Sequence, residues 1–233
     1  MKEILAEGFA ELGLTPDERA FERYEKYCEY LEEKNKVMNL TAITGETEVA
    51  RLHFLDSAAL LKYVKTEGRK VIDVGTGAGF PGLAMKIAQP DMELTLLDSL
   101  NKRIAFLSET CELLELSGVS CIHARAEEVP PEFREGFDLA VSRAVSYLPQ
   151  LCELCLPLVK VGGVFAAMKG PDCDEEVKAS GEAIKKLGGK LIGVERYTVP
   201  GTDIRHGVVL VKKLFPTAKR YPRKWAQIKK QPL

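Results

Sequence analysis

A chain of 233 residues, 45% of them hydrophobic and with a formal net charge of -1, can form one domain with a real core and a small appendage. No apolar run is long enough to span a bilayer, and Glu3, Glu7 and Glu11 interrupt the apolar pattern at the start, so a signal peptide is not expected and a cytoplasmic location without a membrane partner is. The total hides an asymmetry: residues 1–33 hold ten acidic and four basic side chains, whereas residues 212–233 hold eight basic and no acidic ones.

In chain order, Phe21, Tyr24, Cys28 and Leu31 recur at three- and four-residue spacing among glutamates, which predicts an amphipathic helix ending near Asn35. After Asn39, Leu40 and Thr41 a second helix is expected from about Thr47 to Val64, and residues 1–66 form an N-terminal helical cap. The second helix carries Arg51, His53, Asp56 and Ser57. Asp56 is expected to anchor the cap, while His53 is a candidate substrate contact weighed against the commoner satisfied structural histidine.

Residues 71–82 organise the rest. Four β-capable residues run into Gly75, Gly77, Gly79 and Gly82, and a helix-periodic apolar stretch follows at 83–88, so the segment reads as strand, tight turn, helix. Glycines let the backbone approach a ligand, free N–H groups at the helix start face it, and Pro81 suits a first helical position. Residues 77–82 also spell G-x-G-x-x-G, a spelling shared with dinucleotide sites. Asp73 argues otherwise, because a carboxylate near the loop repels a pyrophosphate and favours a cationic ligand such as S-adenosylmethionine. Asp73 either contacts that ligand or caps the turn.

Residues 94–98 read as a strand that delivers Asp98 to the place where a ribose is held, with Ser99 beside it. Lys102 and Arg103 begin the next helix, as phosphate contacts or solvated charge. A short strand at 121–123 leads to a polar turn at 124–128 suited to an adenine border. A strand at 137–142 delivers Arg143 to the cleft; a helix is expected over 148–159, with Gly162 and Gly163 breaking the chain before a strand at 164–168. Lys169 then sits at a strand's carboxyl end, facing either nucleic acid or solvent. A helix over 174–187 and a hairpin of 190–199 and 207–214 complete an α/β domain at 67–214, with a mostly parallel sheet, one antiparallel strand and helices on both faces.

The basic tail, 215–233, interleaves Lys219, Arg220, Arg223 and Lys224 with Phe215, Tyr221 and Trp225. It suits phosphate contact and base stacking, or else docks on its own domain with Trp225 as anchor. Six scattered cysteines, with Cys152 and Cys155 the only close pair, read as buried thiols, and no metal is expected.

This order of motifs resembles the class I S-adenosylmethionine-dependent methyltransferases and, more narrowly, the ribosomal RNA small subunit methyltransferase G family. The carrying residues are Asn39 with Thr41, His53 with Asp56 and Ser57, the 71–82 loop, Asp98 with Lys102 and Arg103, Ser142 to Ala144, Lys169 with Gly170, and Arg205 with His206. The resemblance implies a Rossmann-like seven-stranded sheet, S-adenosylmethionine as methyl donor, methylation of guanine N7 in small-subunit (16S) ribosomal RNA, and that RNA or its particle as partner of a monomer. It implies a cofactor set of Asp73, Gly75, Gly77, Phe80, Asp98, Ser99, Ala126, Glu127 and Arg143, with Ala126 and Glu127 bordering the adenine. His53, Lys102, Arg103, Lys169, Lys219, Arg220, Arg223 and Lys224 are then the RNA-facing set. Two departures stand out: Leu52, where the family has a basic residue, and the Trp225 segment, where relatives are rich in small residues.

Guanine N7 carries a lone pair and no proton, so attack on a sulfonium methyl needs alignment rather than a general base, and Arg143 and Lys169 are assigned to positioning. The chain has neither the Pro-Pro-Tyr nor the Pro-Cys signature after the fourth strand that similar enzymes use on amino groups or pyrimidine carbon. Two other readings remain: a small-molecule methyltransferase, which would bind cofactor without modifying ribosomal particles, and a non-catalytic RNA-binding assembly factor. The intact Asp73, Gly75, Gly77, Gly79 and Asp98 oppose the latter.

Overall fold

Seven strands pair in the order β3-β2-β1-β4-β5-β7-β6. They are β1 (Lys70–Val74), β2 (Glu93–Asp98), β3 (Val119–His123), β4 (Phe137–Arg143), β5 (Val159–Lys169), β6 (Gly189–Thr198) and β7 (Arg205–Lys213). β7 is antiparallel to both its neighbours, and the pairs from β3 to β5 are parallel. The computed structural model describes residues 1–143 and 145–233; Ala144, the last residue of the motif after β4, lies outside the described residues. The central strands read as apolar runs because both faces are covered: Val71, Leu139 and Val141 enter one core, Ile72, Val74 and Ala140 the other.

The first core is shared with the N-terminal helices α1 (Lys2–Leu12) and α2 (Glu18–Met38), whose first turn is capped by Asp17 accepting from Ala20 N at 2.8 Å. α2 runs one turn past the expected end, to a left-handed Asn39. The second expected helix is α3 (Glu46–Val49), a π-helical turn (Ala50–Leu55) and α4 (Asp56–Ala59), closed by a 3-10 turn at Leu60–Lys62. Leu5, Phe9, Tyr24, Tyr27 and Phe54 pack with Leu83 of α5 (Gly82–Ala88) and Leu107 of α6 (Asn101–Leu113). Tyr24 also donates to the Ala84 carbonyl at 2.6 Å, so the cap and this sheet face share one core.

On the other face lie α7 (Leu148–Cys155), α8 (Asp174–Ala179) and α9 (Gly181–Lys186). Cys152 and Cys155 are buried in α7. Two expectations are corrected here. The helix expected over 148–159 ends at Cys155, and β5 runs through Gly162 and Gly163 instead of starting after them, because a bulge against β4 absorbs the glycines. At Gly163 a Cβ would lie 2.7 Å from the Asp138 carbonyl, so only glycine allows that approach. The helix expected over 174–187 breaks at Ser180 into α8 and α9.

The tail docks. Tyr221 and Ile228 are buried against the α7 face, and α10 (Trp225–Lys230) lies beyond them. Glu153 of α7 has no exposed surface and takes Arg223 in a two-pronged pair, Nε to Oε1 at 2.8 Å and Nη2 to Oε2 at 2.6 Å, with the Arg223 backbone N–H at 2.9 Å. Arg223, expected among the RNA-facing cations, is therefore spent on a buried carboxylate. Among the described residues no helix is long and apolar enough to cross a membrane. Arg223→Ala strands the Glu153 charge in the core, so it should lower stability by about 3–5 kcal/mol in equilibrium denaturant unfolding; a loss under about 1 kcal/mol would show that the pair is solvated.

Candidate cofactor and acceptor site

The glycine loop is fastened from beneath. Asp73, at the end of β1 and fully buried, accepts through Oδ2 from Thr76 Oγ1 at 2.7 Å and from the Gly82 N–H at 2.8 Å. Of the two roles open to it, the structure shows the turn latch. Among the described residues its Oδ1 is buried with no partner, and burial pushes the carboxyl up to about 6 against those two hydrogen bonds. Gly77, at a φ of 62°, has open space where a Cβ would stand and points its N–H at Asp98 Oδ2, 3.0 Å away.

Above the loop lies a cavity of about 400 Å³ whose walls include Thr41, His53, Gly75, Gly77, Phe80, Asp98 and Arg143. Asp98, 3% exposed, also accepts from Leu100 N at 2.9 Å and faces Arg103 Nη1 at 3.4 Å. Arg103, expected to face RNA, lies beside Asp98 on the wall of this cavity. Past Val145, which stands over Gly75, a second space of about 220 Å³ is bounded by Asp98, Ser99, Ala126, Glu127, Leu154 and Trp225. The residues fit S-adenosylmethionine. A carboxylate with acceptor capacity left suits a ribose diol, an apolar slot at the sheet edge suits adenine, and the unpaired Asp73 oxygen beneath the loop suits a cation.

A third cavity, about 450 Å³, is bounded by Leu52, His53, Asp56, Arg143, Met168, Lys169, Glu176, Ile204 and His206. His53 and Arg143 line this cavity and the loop cavity alike. Arg143 sits at their junction: Nη1 donates to Asp56 Oδ2 at 2.8 Å and to the Leu52 carbonyl of the π-turn at 3.0 Å, Nη2 donates to His53 Nδ1 at 2.9 Å, and its guanidinium lies 5.0 Å from the Phe80 ring centre. A guanidinium only donates, so His53 Nδ1 accepts and the proton resides on Nε2, which donates to Thr41 Oγ1 at 2.8 Å. Thr41 Oγ1 also accepts from Ile43 N at 3.0 Å, which leaves its own O–H free to donate. The His53 ring stacks on Phe80 at 4.2 Å, and burial followed by the Arg143 charge pushes its pKa down to about 3.

Asp56 anchors the cap as expected. Burial raises its pKa, but His206, Arg143 and Tyr197 outweigh burial and hold it below the ordinary value; Oδ1 takes Tyr197 Oη at 2.6 Å and His206 Nδ1 at 2.7 Å. Lys169 Nζ is bound to Glu176 Oε2 at 2.7 Å and to the Ser146 carbonyl at 2.9 Å, so it is a held cation rather than a solvent-facing one. Lys102 reaches back to the Met38 carbonyl at 3.1 Å, while Lys219, Arg220 and Lys224 are exposed. The structure thus gathers the residues expected to bind cofactor around the two smaller cavities, except Asp73, which lies beneath the loop, and of the set expected to face RNA only His53 and Lys169 line the 450 Å³ cavity.

Thr41, Glu176 and Tyr197 were not read as site residues. Thr41 was legible only as part of a motif, and its position depends on Asn35, whose Oδ1 accepts from Leu40 N at 2.7 Å and Thr41 N at 2.9 Å. Tyr197 comes from β6, which the hairpin folds back toward Asp56, whereas Glu176 follows Lys169 by seven residues on α8, and no local spacing marks either.

A glycine loop after β1, an acid ending β2 and a 3-2-1-4-5-7-6 sheet define a class I S-adenosylmethionine-dependent methyltransferase. Solved structures agree at the level of the fold: TYW2 of M. jannaschii in complex with AdoMet (TM-score 0.56, 16% identity, 69% of this chain and 76% of that one) and TrmN of Thermus thermophilus (TM-score 0.55, 21% identity, 69% and 48%). The chain belongs to the rRNA small subunit methyltransferase G (GidB) family, whose model matches residues 20–202. It is 44% identical to ribosomal RNA small subunit methyltransferase G of Acetivibrio thermocellus, over all of this chain and 97% of the relative. It is 47% identical to that of Alkaliphilus oremlandii, over all of this chain and 99% of the relative.

His53 carries a pH signature. Between its ordinary 6.5 and about 3 the unfolded chain binds a proton that the folded chain refuses, so stability rises with pH through that window. Asp73, shifted the other way from 3.8 to about 6, opposes with the smaller shift. His53→Gln keeps an acceptor for Arg143 and a donor for Thr41 without titrating. It should therefore narrow the gap between melting temperatures measured at about pH 5 and pH 7; an undiminished gap would mean that His53 is charged in the fold.

Proposed function

We propose that the protein transfers the methyl group of S-adenosylmethionine to N7 of a guanine in small-subunit ribosomal RNA. The observation that carries the reading is the wall shared by the two cavities, since His53 and Arg143 border both and so set a methyl donor in one beside a base in the other. The family and its relatives' names supply the RNA, and the cavity chemistry supports guanine.

Bound S-adenosylmethionine supplies an electrophilic sulfonium methyl. Asp98 receives the ribose, with Gly77 and Leu100 holding its carboxylate in place, and Ala126 and Glu127 border the adenine. Arg143 fixes His53 and the Leu52 carbonyl, which sets the rim over which the base approaches. Lys169 gives that cavity a cation held by Glu176. Glu176 uses Oε2 for Lys169 and Leu148 N, so Oε1 is left to accept from the N1–H and N2 amino edge that guanine has and adenine lacks. Alignment does the work, because N7 has no proton to lose. Exposed Lys102, Lys219, Arg220 and Lys224 contact RNA phosphates outside the cavities. We expect the protein to act as a monomer and, with a ribosomal substrate, in the cytoplasm.

Transfer from labelled cofactor to unmodified small-subunit RNA and particles, followed by mapping of the base, tests the reading. Lys169→Ala should slow single turnover by roughly a hundredfold with cofactor affinity unchanged, whereas Asp98→Ala should cost about 1–3 kcal/mol of cofactor affinity. Tight cofactor binding without transfer to either RNA form would favour a small-molecule acceptor.

A further inference from the structure

The tail holds the chain's single tryptophan within a run of six basic side chains between Lys219 and Lys230. An indole there has two obvious uses, as an anchor in the core or as a platform for RNA. The structure gives it a third place: Trp225 is half-buried, packs at the edge of the α7 core and borders the 220 Å³ space together with Asp98, Ser99, Ala126 and Glu127. Two independent contacts hold it there. Arg223, two residues earlier, is bound to the fully buried Glu153 on α7, and Ile228, three residues later, is buried in the same core. Leu154, the neighbour of Glu153, lines the same space, so one turn of α7 both grips the tail and borders the slot.

We propose that the C-terminal tail is a wall of the cofactor site, with Trp225 packed against the adenine of the bound methyl donor and the Arg223–Glu153 pair holding it in place. The inference rests on the reading of Asp98, Ala126 and Glu127 as the nucleoside end of the cofactor site. An aromatic face against adenine adds contact area and stacking, and an aromatic platform is worth roughly tenfold in affinity per base. The tail thereby acts on the cofactor through Trp225, whatever its exposed lysines do on RNA.

Because Trp225 is the only tryptophan, its emission reports on this contact directly. Titrating the full-length protein with S-adenosylhomocysteine or adenosine should quench or shift the emission, while methionine, which lacks the base, should leave it unchanged. By calorimetry Trp225→Phe should keep affinity for S-adenosylhomocysteine and Trp225→Ala should weaken it roughly tenfold. Arg223→Lys, which keeps the charge but loses the two-pronged grip, should shift ligand-free emission to the red and weaken affinity in a protein that still unfolds cooperatively. Calorimetric binding with unchanged emission, or equal affinity in Trp225→Ala, overturns the proposal and spares the cofactor assignment. Absence of any calorimetric binding to the wild type overturns the assignment and the proposal together.

Discussion

The Arg143–Asp56 ion pair is the buried charge contact between the N-terminal helices and the end of β4, beside apolar packing and hydrogen bonds such as Tyr24 to the Ala84 carbonyl. Arg143 arrives at the end of β4 and Asp56 from the cap, 2.8 Å apart, with the carboxylate 1% exposed. Removing such a charge from water is repaid only when its remaining lone pairs are filled, and Tyr197 and His206 of the terminal hairpin fill them. Cap, parallel sheet and hairpin thus converge on one carboxylate. The same guanidinium dictates the His53 tautomer, the tautomer makes Thr41 Oγ1 an acceptor, and the Thr41 hydroxyl keeps its own proton to donate at the wall of the 400 Å³ cavity. A chain of donors and acceptors is set from one end.

Two buried aspartates show how partners, not burial, decide the charge. Asp56 meets a cation, an imidazole and a phenol, and its pKa falls below the ordinary value; Asp73 meets one hydroxyl and one N–H, and its pKa rises to about 6. Asp56 is a permanent charge that fixes geometry. Asp73 is a charge the fold tolerates poorly, with an oxygen left unpaired among the described residues beneath the glycine loop. A cationic ligand above the loop lowers that cost, so ligand affinity and the stability of the turn are linked.

What could be read from the residues follows what is local. The seven strands were legible because apolar runs bounded by Gly, Pro and Asp mark them, and the loop after β1 and Asp98 of β2 could be expected to meet because they lie at adjacent strand ends, as they do around one cavity. The π-turn at Ala50–Leu55 was not legible, since its residues keep a helical pattern and only the bonding differs. The path of β5 through Gly162 and Gly163 was hidden because glycine signals a break and a bulge alike. The tail was ambiguous for a deeper reason. Its cations are identical in sequence terms, and only the fold shows that Arg223 has a buried partner on α7 while Lys219 and Lys224 face solvent.

The acceptor cavity is notable for how its proton-accepting groups are occupied. Among the described residues that line it, His53 has Nδ1 committed to Arg143 and Nε2 protonated, Asp56 is held as a weak base by three donors, and Glu176 shares Oε2 with Lys169 and a backbone N–H. A base catalyst needs a free lone pair near the reacting atom and a pKa close to the working pH. His53 at about 3 and Asp56 below its ordinary value meet neither condition. An exocyclic amino group or a ribose hydroxyl must lose a proton on methylation, whereas guanine N7 loses none. His53 and Asp56 are engaged in holding the walls, which suits an acceptor that brings only a lone pair, and Glu176 keeps Oε1 for orienting the base.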